Sequence, residues 1–265
     1  MACRLIASFC FLALPWLAGC AHASAPDSDR VMFEDFEAEP FFVRHGLLEA
    51  APGEGVNGST ALKATYVGYE QGSRRIVARY PLGEAGDEYT LVYDVRFDDD
   101  FQFVRGGKLH GLGPLSPITG GHPIRPDGWS ARVNFGENGR VRTYLYNQDQ
   151  PGQWGTSVGG GDFRFEPGKY HAVSFHVKLN DPEEANGFAH IYVDGERIVT
   201  HDNVRFRGED GEHTLIDKVL FSTFHGGSSP RWAPVDEDGE YTTVYAWFDN
   251  FAVYRGKFVR EKAGE

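Results

Sequence analysis

Short runs of alternating apolar and polar residues organise most of this 265-residue chain. Such period-two or β-rich runs are bounded by Gly, Pro, Asp or Asn, which is the pattern of β-strands separated by turns. No long stretch has convincing helical periodicity, and no internal repeat is found. The predicted strands cover residues 73–80, 89–97, 129–135, 141–146, 170–179, 189–193, 215–224 and 241–254.

Many short strands at this spacing predict an all-β fold in which two antiparallel sheets pack face to face, a concanavalin-like jelly-roll β-sandwich. No Pro/Ser-rich linker or change in composition divides the chain, so we predict a single domain over residues 31–258 and a charged C-terminal tail over 259–265. Residues 159–161, Gly-Gly-Gly, fit no phosphate-binding motif and are predicted to be a loop.

One turn fixes how two of the predicted strands pair. If residues 137–139 form a three-residue loop whose last residue is left-handed, Arg132 faces Tyr144 and Ser130 faces Tyr146. All four side chains would then lie on one side of the sheet. A two-residue loop would instead place the pairs on opposite faces.

The N-terminus has the pattern of an export signal. A positively charged start and an apolar stretch over residues 5–17, too short for a lasting membrane span, precede Leu-Ala-Gly-Cys at 17–20. This segment resembles a bacterial lipobox, and it predicts a lipoprotein signal peptide over residues 1–19. Lipidated Cys20 and a short tether would follow over 20–30. The alternative is an ordinary secretory signal cut after residue 25.

The cysteines support this interpretation. Cys3 and Cys10 leave with the signal peptide, so only Cys20 remains in the mature protein. The domain therefore has no intramolecular disulfide, no Cys nucleophile and no Cys-ligated zinc. We expect an exported protein whose partner is a membrane, reached through the lipid anchor, with the outer membrane as the expected location.

Charge is unevenly distributed along the chain. The formal net charge is −12, which argues against nucleic acid as a partner. Residues 101–148 nevertheless carry +4, leaving −16 for the rest of the chain. A cationic island on an acidic protein suits capture of a polyanion. Solvated charges at strand edges are the alternative explanation.

Motifs in this basic window resemble the active-site strands of polysaccharide lyase family 14, the alginate and polyuronate lyases, to which glucuronan lyases are related. They are Gly-Gly-Lys-Leu-His-Gly-Leu at 106–112, Trp-Ser-Ala-Arg at 129–132 and Tyr-Leu-Tyr at 144–146. Later segments resemble the same family in the same order, at 165–170, 177–180, 186–187, 193–195, 221–227 and 232–234.

The resemblance implies a jelly-roll enzyme with four catalytic residues on these strands. No metal or other cofactor is expected, because cationic side chains can carry the charge. The catalytic residues that it implies are Lys108, Arg132, Tyr144 and Tyr146. Two positions depart from the family pattern, because His110 stands where Pro is usual and His225 where Phe is usual. The predicted substrate-binding residues are Ser130, Arg105, His110, Arg142, His225 and Trp232.

The chemistry of a polyuronate lyase needs these residue types. Removal of the C5 proton, which is α to the C6 carboxylate, and loss of the C4 oxygen require a fixed cation on the carboxylate, a base and an acid. Arg132, with Ser130, is predicted to hold the carboxylate. Lys108 would stabilise the enediolate or take the proton, and Tyr144 or Tyr146 would act as acid or base. His110 and His225 are alternative bases.

We therefore predict a monomeric lyase whose partner is an anionic polysaccharide, with alginate as the first expectation and an unsaturated uronate as the product. Glucuronan or another uronate polysaccharide is an alternative substrate. A non-catalytic, lectin-like lipoprotein is the alternative from another functional class. A glycoside hydrolase is disfavoured, because hydrolysis needs two carboxylates and the basic window holds only Asp127 and Glu137.

Overall fold

The computed structural model of the protein describes residues 29–38 and 45–262. Cys20 and the predicted signal peptide lie outside these residues. The described part contains β-strands and short 3-10 turns, but no α-helix. Its strands form two antiparallel sheets, which confirms the prediction of an all-β jelly-roll sandwich.

The larger sheet has nine strands, which are β1 (Arg30–Glu34), β2 (Leu48–Pro52), β3 (Thr60–Tyr69), β4 (Gly72–Ser73), β6 (Glu88–Phe97), β11 (Tyr170–Lys178), β12 (Gly187–Val193), β13 (Glu196–Val204) and β15 (Thr243–Arg255). Their order is β13-β12-β11-β6-β15-β3-β2, with β1 paired to β15 and β4 paired to β3.

The smaller sheet has six strands, which are β5 (Ile76–Gly86), β7 (Gly106–Gly113), β8 (Ser130–Gly136), β9 (Arg140–Tyr146), β10 (Gly159–Arg164) and β14 (Ile216–His225). Their order is β10-β9-β8-β7-β14-β5. Each of the eight predicted strands has a counterpart in one of the two sheets. The loop predicted at 159–161 is wrong, because these glycines begin the edge strand β10.

Alternation of side chains builds the core between the sheets. Tyr93, Val95 and Phe97 of β6 point inward from the larger sheet, while Val133 and Phe135 of β8 point inward from the smaller one, and all five are fully buried. Burial of each such side chain contributes about 1.5–3 kcal/mol relative to exposure. The polar residues between them on β8 therefore face outward, on the far side of the smaller sheet.

The turn between β8 and β9 has the predicted form. Residues Glu137–Gly139 make a single 3-10 turn, in which Asn138 and Gly139 have φ of 56° and 74°. Arg132 consequently pairs with Tyr144, and Ser130 pairs with Tyr146. This confirms the predicted register and places the four side chains on the outer face of the smaller sheet.

The C-terminal segment binds the outer face of the larger sheet. The backbone N–H of Phe258 donates to Thr90, that of Arg260 donates to Ser174, and the Arg260 guanidinium bonds Asp94 at 3.0 Å. Contacts of the domain thus extend beyond the predicted boundary at 258. None of the described residues belongs to a helix long and apolar enough to cross a membrane.

Candidate active site

The candidate site is built from rows of side chains that run across the smaller sheet. One row joins Lys108 of β7 to Asn134 of β8, which pairs in turn with Arg142 of β9. The next row contains the pair of Arg132 and Tyr144. Because β8 alternates strictly, both rows face away from the core.

A β-bulge decides which residues of β7 reach this face. The register of β7 shifts between Lys108 and Gly111 against both of its neighbours, β8 and β14. Because of the shift, Leu109 and His110 are both fully buried in the core, while Lys108 stays outside and partly exposed. Simple alternation would have placed Lys108 and His110 on the same face.

His110 is therefore not a cleft residue, and its prediction as a substrate-binding residue or base is wrong. Its ring stacks on Phe221 at 4.2 Å between centroids and contacts Phe248 at 4.6 Å, and its Nδ1 accepts a hydrogen bond from the backbone N–H of Ser222. Burial lowers the pKa of His110 to about 3. The ring acts as a neutral core aromatic.

The same correction applies to His225. Its ring is fully buried and stacks on Phe101 at 5.2 Å, and its Nε2 donates to the carbonyl of Gln102 at 2.7 Å. Burial lowers the pKa of His225 to about 4. At this place the imidazole occupies the space of an aromatic side chain, and its hydrogen bond holds the Gln102 segment against β14.

Arg132 is held rigidly on the outer face. Its Nη1 donates to Ser130 Oγ at 2.9 Å, and its Nε makes a longer contact of 3.4 Å with Ser222 Oγ. Its aliphatic stem lies over Gly111, where an added Cβ would be 2.7 Å from Arg132 Cγ. Burial lowers the pKa of Arg132 to about 10, so the guanidinium remains a cation at neutral pH.

Ser130 and Tyr146 lie beneath a loop rather than at the surface. Ser130 Oγ donates to the carbonyl of Ile118 at 2.7 Å, so its hydroxyl is engaged on both sides. Tyr146 is 1% exposed, and its hydroxyl accepts the backbone N–H of Gly121 at 2.8 Å. Burial raises the pKa of Tyr146, and its hydrogen bond with Tyr144 adds to this effect. Both residues orient their neighbours.

Lys108 and Tyr144 are in direct contact. Lys108 Nζ lies 3.7 Å from the centroid of the Tyr144 ring. Burial lowers the pKa of Lys108 to about 7, and the nearby charges of Arg132, Arg142 and Arg75 act in the same direction. A large fraction of Lys108 is consequently an uncharged amine near neutral pH, which is the form that can accept a proton.

Three of the predicted substrate-binding residues lie at one end of this face. Arg142, Arg105 and Trp232 line a common cavity beside the turn between β8 and β9. The structure thus places the four predicted catalytic residues and Ser130 on the outer face of the smaller sheet and these three at one end of it, while the two histidines lie in the core.

Three residues near the site were not predicted from the sequence. Arg75 and Arg79, just before and within β5, are close enough to lower the pKa of Lys108 and of Arg132 respectively. Asn134 separates Lys108 from Arg142, and its buried Oδ1 has no hydrogen-bond partner among the described residues. Strict alternation from Arg132 could have found Asn134, whereas the position of β5 depends on long-range pairing with β14.

The donor types present do not form an evident metal site. Within residues 29–38 and 45–262, no group of three or more His, Cys, Asp or Glu side chains is placed to hold a metal ion. The chemistry available at the outer face is that of fixed cations, one amine of lowered pKa and two phenols.

Comparison with known proteins identifies the family of this chain. The sequence profile described as Polysaccharide lyase 14 matches residues 58–251. This chain belongs to polysaccharide lyase family 14. It is therefore a polysaccharide lyase, with the fold and the enzyme class predicted from its motifs. Among curated proteins, none matches the chain.

Solved structures of lyases share the fold of this family member. Alginate lyase Aly36B is 25% identical with a TM-score of 0.62, over 75% of this chain and 82% of its own. The PL-14 alginate lyase from Aplysia kurodai is 23% identical with a TM-score of 0.63, over 79% and 87%. The endo-β-1,4-glucuronan lyase from Trichoderma reesei is 17% identical with a TM-score of 0.60, over 89% and 99%.

Proposed function

We propose that this lyase cleaves a polyuronate, with alginate as the first expectation, by β-elimination at the Lys108–Tyr144 pair. The observation that carries the proposal is a Lys amine of lowered pKa in contact with a phenol and next to a fixed guanidinium. The likeness to Aly36B, whose double mutant is described in complex with alginate tetrasaccharide, supports alginate.

Arg132 would neutralise the carboxylate of the uronate that reacts. Ser130 holds one edge of the guanidinium, and Nη2 makes no hydrogen bond within the described part of the chain. A fixed cation at the C6 carboxylate stabilises the enediolate that forms when the C5 proton leaves, and it needs no reorganisation during the reaction. We assign Ser130 the orientation of Arg132, because its own hydroxyl proton is given to Ile118.

Lys108 would act as the base and Tyr144 as the acid. The uncharged amine takes the C5 proton, the electron pair moves onto the carboxylate, and it then forms the C4–C5 double bond as the C4–O bond breaks. Tyr144 protonates the leaving oxygen. The ammonium formed on Lys108 stabilises the phenolate left on Tyr144, because opposite charges in contact favour each other. Tyr146 is too buried to reach a sugar and would hold the Tyr144 hydroxyl in place.

A panel of polymers tests the substrate. The mature domain is incubated with alginate, poly-mannuronate, poly-guluronate, glucuronan and glycosaminoglycans, and the ultraviolet absorbance of the unsaturated product is recorded. We expect cleavage of at least one polyuronate, with alginate first. Cleavage of glucuronan alone would replace alginate as the substrate, and silence on all polyuronates would contradict the proposal.

Substitutions test the roles. We expect Lys108→Ala and Tyr144→Phe each to lower kcat by about 10²–10⁴-fold, the usual contribution of a general acid or base. Lys178→Ala is the matched control, since Lys178 lies on the outer face of the larger sheet and pairs with Glu88. The rate should also rise with pH through about 7, as Lys108 loses its proton. Activity of Lys108→Ala within a few-fold of the wild type would exclude Lys108 as the base.

We also propose that Cys20 carries a lipid that anchors the exported enzyme to the outer membrane, as the lipobox-like segment at 17–20 indicates. The full-length protein should fractionate with outer membranes, and Cys20→Ser should release it into the soluble fraction. Soluble wild-type protein after export would contradict the anchor. The monomer remains a prediction, which light scattering of the mature domain tests.

A further inference from the structure

A buried imidazole lies in the core directly behind the candidate active site. His110 is fully buried, and its ring contacts the rings of Tyr93, Phe221, Phe248 and Phe251, with centroid distances from 4.2 to 5.2 Å. The ring packs as an aromatic side chain does, but it also brings two nitrogen atoms into an enclosure of aromatic rings. Burial of a polar atom without a hydrogen bond lowers stability, so each nitrogen needs a partner to offset this cost.

One of the two ring nitrogens has a hydrogen-bond partner among the described residues, and the other has none. Nδ1 accepts the backbone N–H of Ser222 at 3.3 Å, whereas Nε2 is buried without a partner. Because Nδ1 accepts, the neutral ring carries its proton on Nε2. That buried N–H has no acceptor, so an apolar side chain of similar size at position 110 would leave the core more stable. Packing alone therefore does not explain this histidine, and the contact that an apolar side chain could not make is the one with Ser222.

The hydrogen bond to Ser222 is made where the pairing of two strands is interrupted. The three residues 221–223 of β14 lie opposite the two residues 109–110 of β7, because the register shifts at this place. Such an unequal count leaves backbone groups without their usual partner in the ladder. The ring nitrogen of His110 takes the place of a backbone carbonyl as the acceptor for Ser222, and it thereby fixes the course of β14 through the irregular segment.

Ser222 in turn contacts the guanidinium on the outer side of the sheet. Its Oγ lies 3.4 Å from Arg132 Nε, while Ser130 Oγ accepts a hydrogen bond from Arg132 Nη1 at 2.9 Å. The guanidinium is thus held between two serine hydroxyls, one at each edge. The core imidazole of His110 sets the backbone position of one of these two serines.

We propose that His110 is a positioning residue, which acts through Ser222 to hold Arg132 in the orientation that receives the substrate carboxylate. This inference rests on the proposed function, because it takes Arg132 to be the cation that neutralises that carboxylate. It assigns a role in the reaction to a core residue that touches neither the substrate nor the reacting atoms. A displaced guanidinium stabilises the enediolate less well, so loss of the His110 contact lowers the rate without removing any catalytic group.

The experiment compares His110→Leu with His110→Asn. The two side chains have nearly the same branched shape, but only Asn carries an oxygen that can accept the Ser222 N–H. We expect kcat to fall about tenfold in His110→Leu and to stay within about threefold of the wild type in His110→Asn. Thermal unfolding should nevertheless show that the Leu variant is the more stable of the two, because it buries no unpaired polar group. Activity that follows stability in this pair would show a merely structural role and overturn the proposal.

Ser222→Ala tests whether the effect passes through Ser222. This change keeps the backbone N–H and removes the Oγ contact with Arg132. Alone it should lower kcat by about tenfold, and addition of His110→Leu should lower kcat little further, because both changes act on the same contact. Losses that multiply in the double variant would show two independent effects and overturn the proposed path.

His171→Leu is the matched control for loss of a buried imidazole. His171 is buried on β11 of the larger sheet, and its partner Asp194 lies outside the candidate active site. This variant should lose stability and keep the kcat of the wild type. An equal fall of kcat in His171→Leu and His110→Leu would mean that the loss is not specific to the contact with Ser222, and it would overturn the proposal.

A measurement without substrate separates this proposal from the proposed function. The Arg132 Nε–H signal in proton–nitrogen NMR spectra, assigned by its absence in Arg132→Lys, reports how fast this group exchanges with solvent. Exchange should be about tenfold faster in His110→Leu and Ser222→Ala than in the wild type and His110→Asn. Faster exchange in an enzyme that cleaves no polyuronate would retain the positioning role and overturn the lyase proposal. Equal exchange in the wild type and His110→Leu would overturn the positioning role, whatever the enzyme cleaves.

Discussion

The outer faces of the two sheets differ in whether their cations are paired with carboxylates. On the larger sheet four cations are paired with carboxylates, namely Lys63–Glu49 at 3.1 Å, Arg96–Glu54 at 2.6 Å, Lys178–Glu88 at 3.3 Å and Arg260–Asp94 at 3.0 Å. Across the candidate site on the smaller sheet, four cations have no carboxylate partner among the described residues. These unpaired cations are Arg79, Lys108, Arg132 and Arg142.

This difference separates structural charge from functional charge. Paired charges on the larger sheet neutralise one another, so these pairs leave no net positive charge that would attract an anionic ligand. Cations that lie together without carboxylate partners raise the free energy of the folded protein. Lys108 is buried among such cations, and its pKa is lowered because its charged form is destabilised there. Such an arrangement is typical of a site that is completed by an anionic substrate.

The largest effect is expected on catalysis, when an unpaired cation of the smaller sheet is removed. Arg132→Ala removes the one cation fixed by Ser130 and should lower kcat by about 10²–10³-fold, because the enediolate loses its counter-charge. Arg96→Ala, which removes a paired arginine from the larger sheet, should leave kcat unchanged. The ultraviolet assay on the preferred polyuronate measures both. An equal loss in the two variants would mean that the two faces do not differ in function.

A smaller effect is expected on stability at the larger sheet. Arg260→Ala leaves the buried carboxylate of Asp94 with Asn250 as its remaining hydrogen-bond partner, and it should destabilise the protein by roughly 2–4 kcal/mol.

Burial already raises the pKa of Asp94, and loss of Arg260 would raise it further. A carboxyl group whose pKa is raised on folding destabilises the folded protein once it ionises, at pH values above that pKa. The loss of stability caused by Arg260→Ala should therefore grow as pH rises through the pKa of Asp94. Urea unfolding at several pH values measures it. A deficit that shrinks with rising pH would contradict this account of the pair.

On the smaller sheet, removal of a cation is expected to stabilise the protein. Lys108→Met removes a partly buried cation that has like-charged neighbours, and it should stabilise the protein by roughly 1–3 kcal/mol while abolishing activity.

The pKa of Lys108 is about 7 in the folded protein and about 10.5 ordinarily, so the unfolded chain binds more protons between these values. The stabilisation by Lys108→Met should thus be complete below about pH 7 and fade as pH approaches 10.5. Thermal unfolding across this range measures it. Destabilisation by Lys108→Met at pH 6 would contradict this prediction, and it would show that packing of the Lys108 side chain contributes more to stability than its charge costs.

Much of the site could be predicted because it depends on local pattern. The Asn138–Gly139 turn needs backbone conformations that these residues adopt readily, and it alone sets Arg132 opposite Tyr144. Alternation along β8 then separates the core residues from those on the outer face that carries the candidate site. Neither step needs any knowledge of distant parts of the chain.

The rest depends on tertiary packing. His110 lies two residues from Lys108, and only the bulge that fits β7 between β8 and β14 turns its ring inward onto Phe221. The proximity of Arg79 to Arg132 requires β5 to pair with β14, more than a hundred residues later in the chain.

The sequence by itself therefore determined an all-β sandwich, the pairing of two active-site strands and the residue types of a lyase. Tertiary structure decided which histidines are core residues, how the basic face is completed from β5, and how burial lowers the pKa of the Lys108 amine. The physical reason is that strand register follows from neighbours in sequence, whereas burial and the field of distant charges exist only once the sheets have packed.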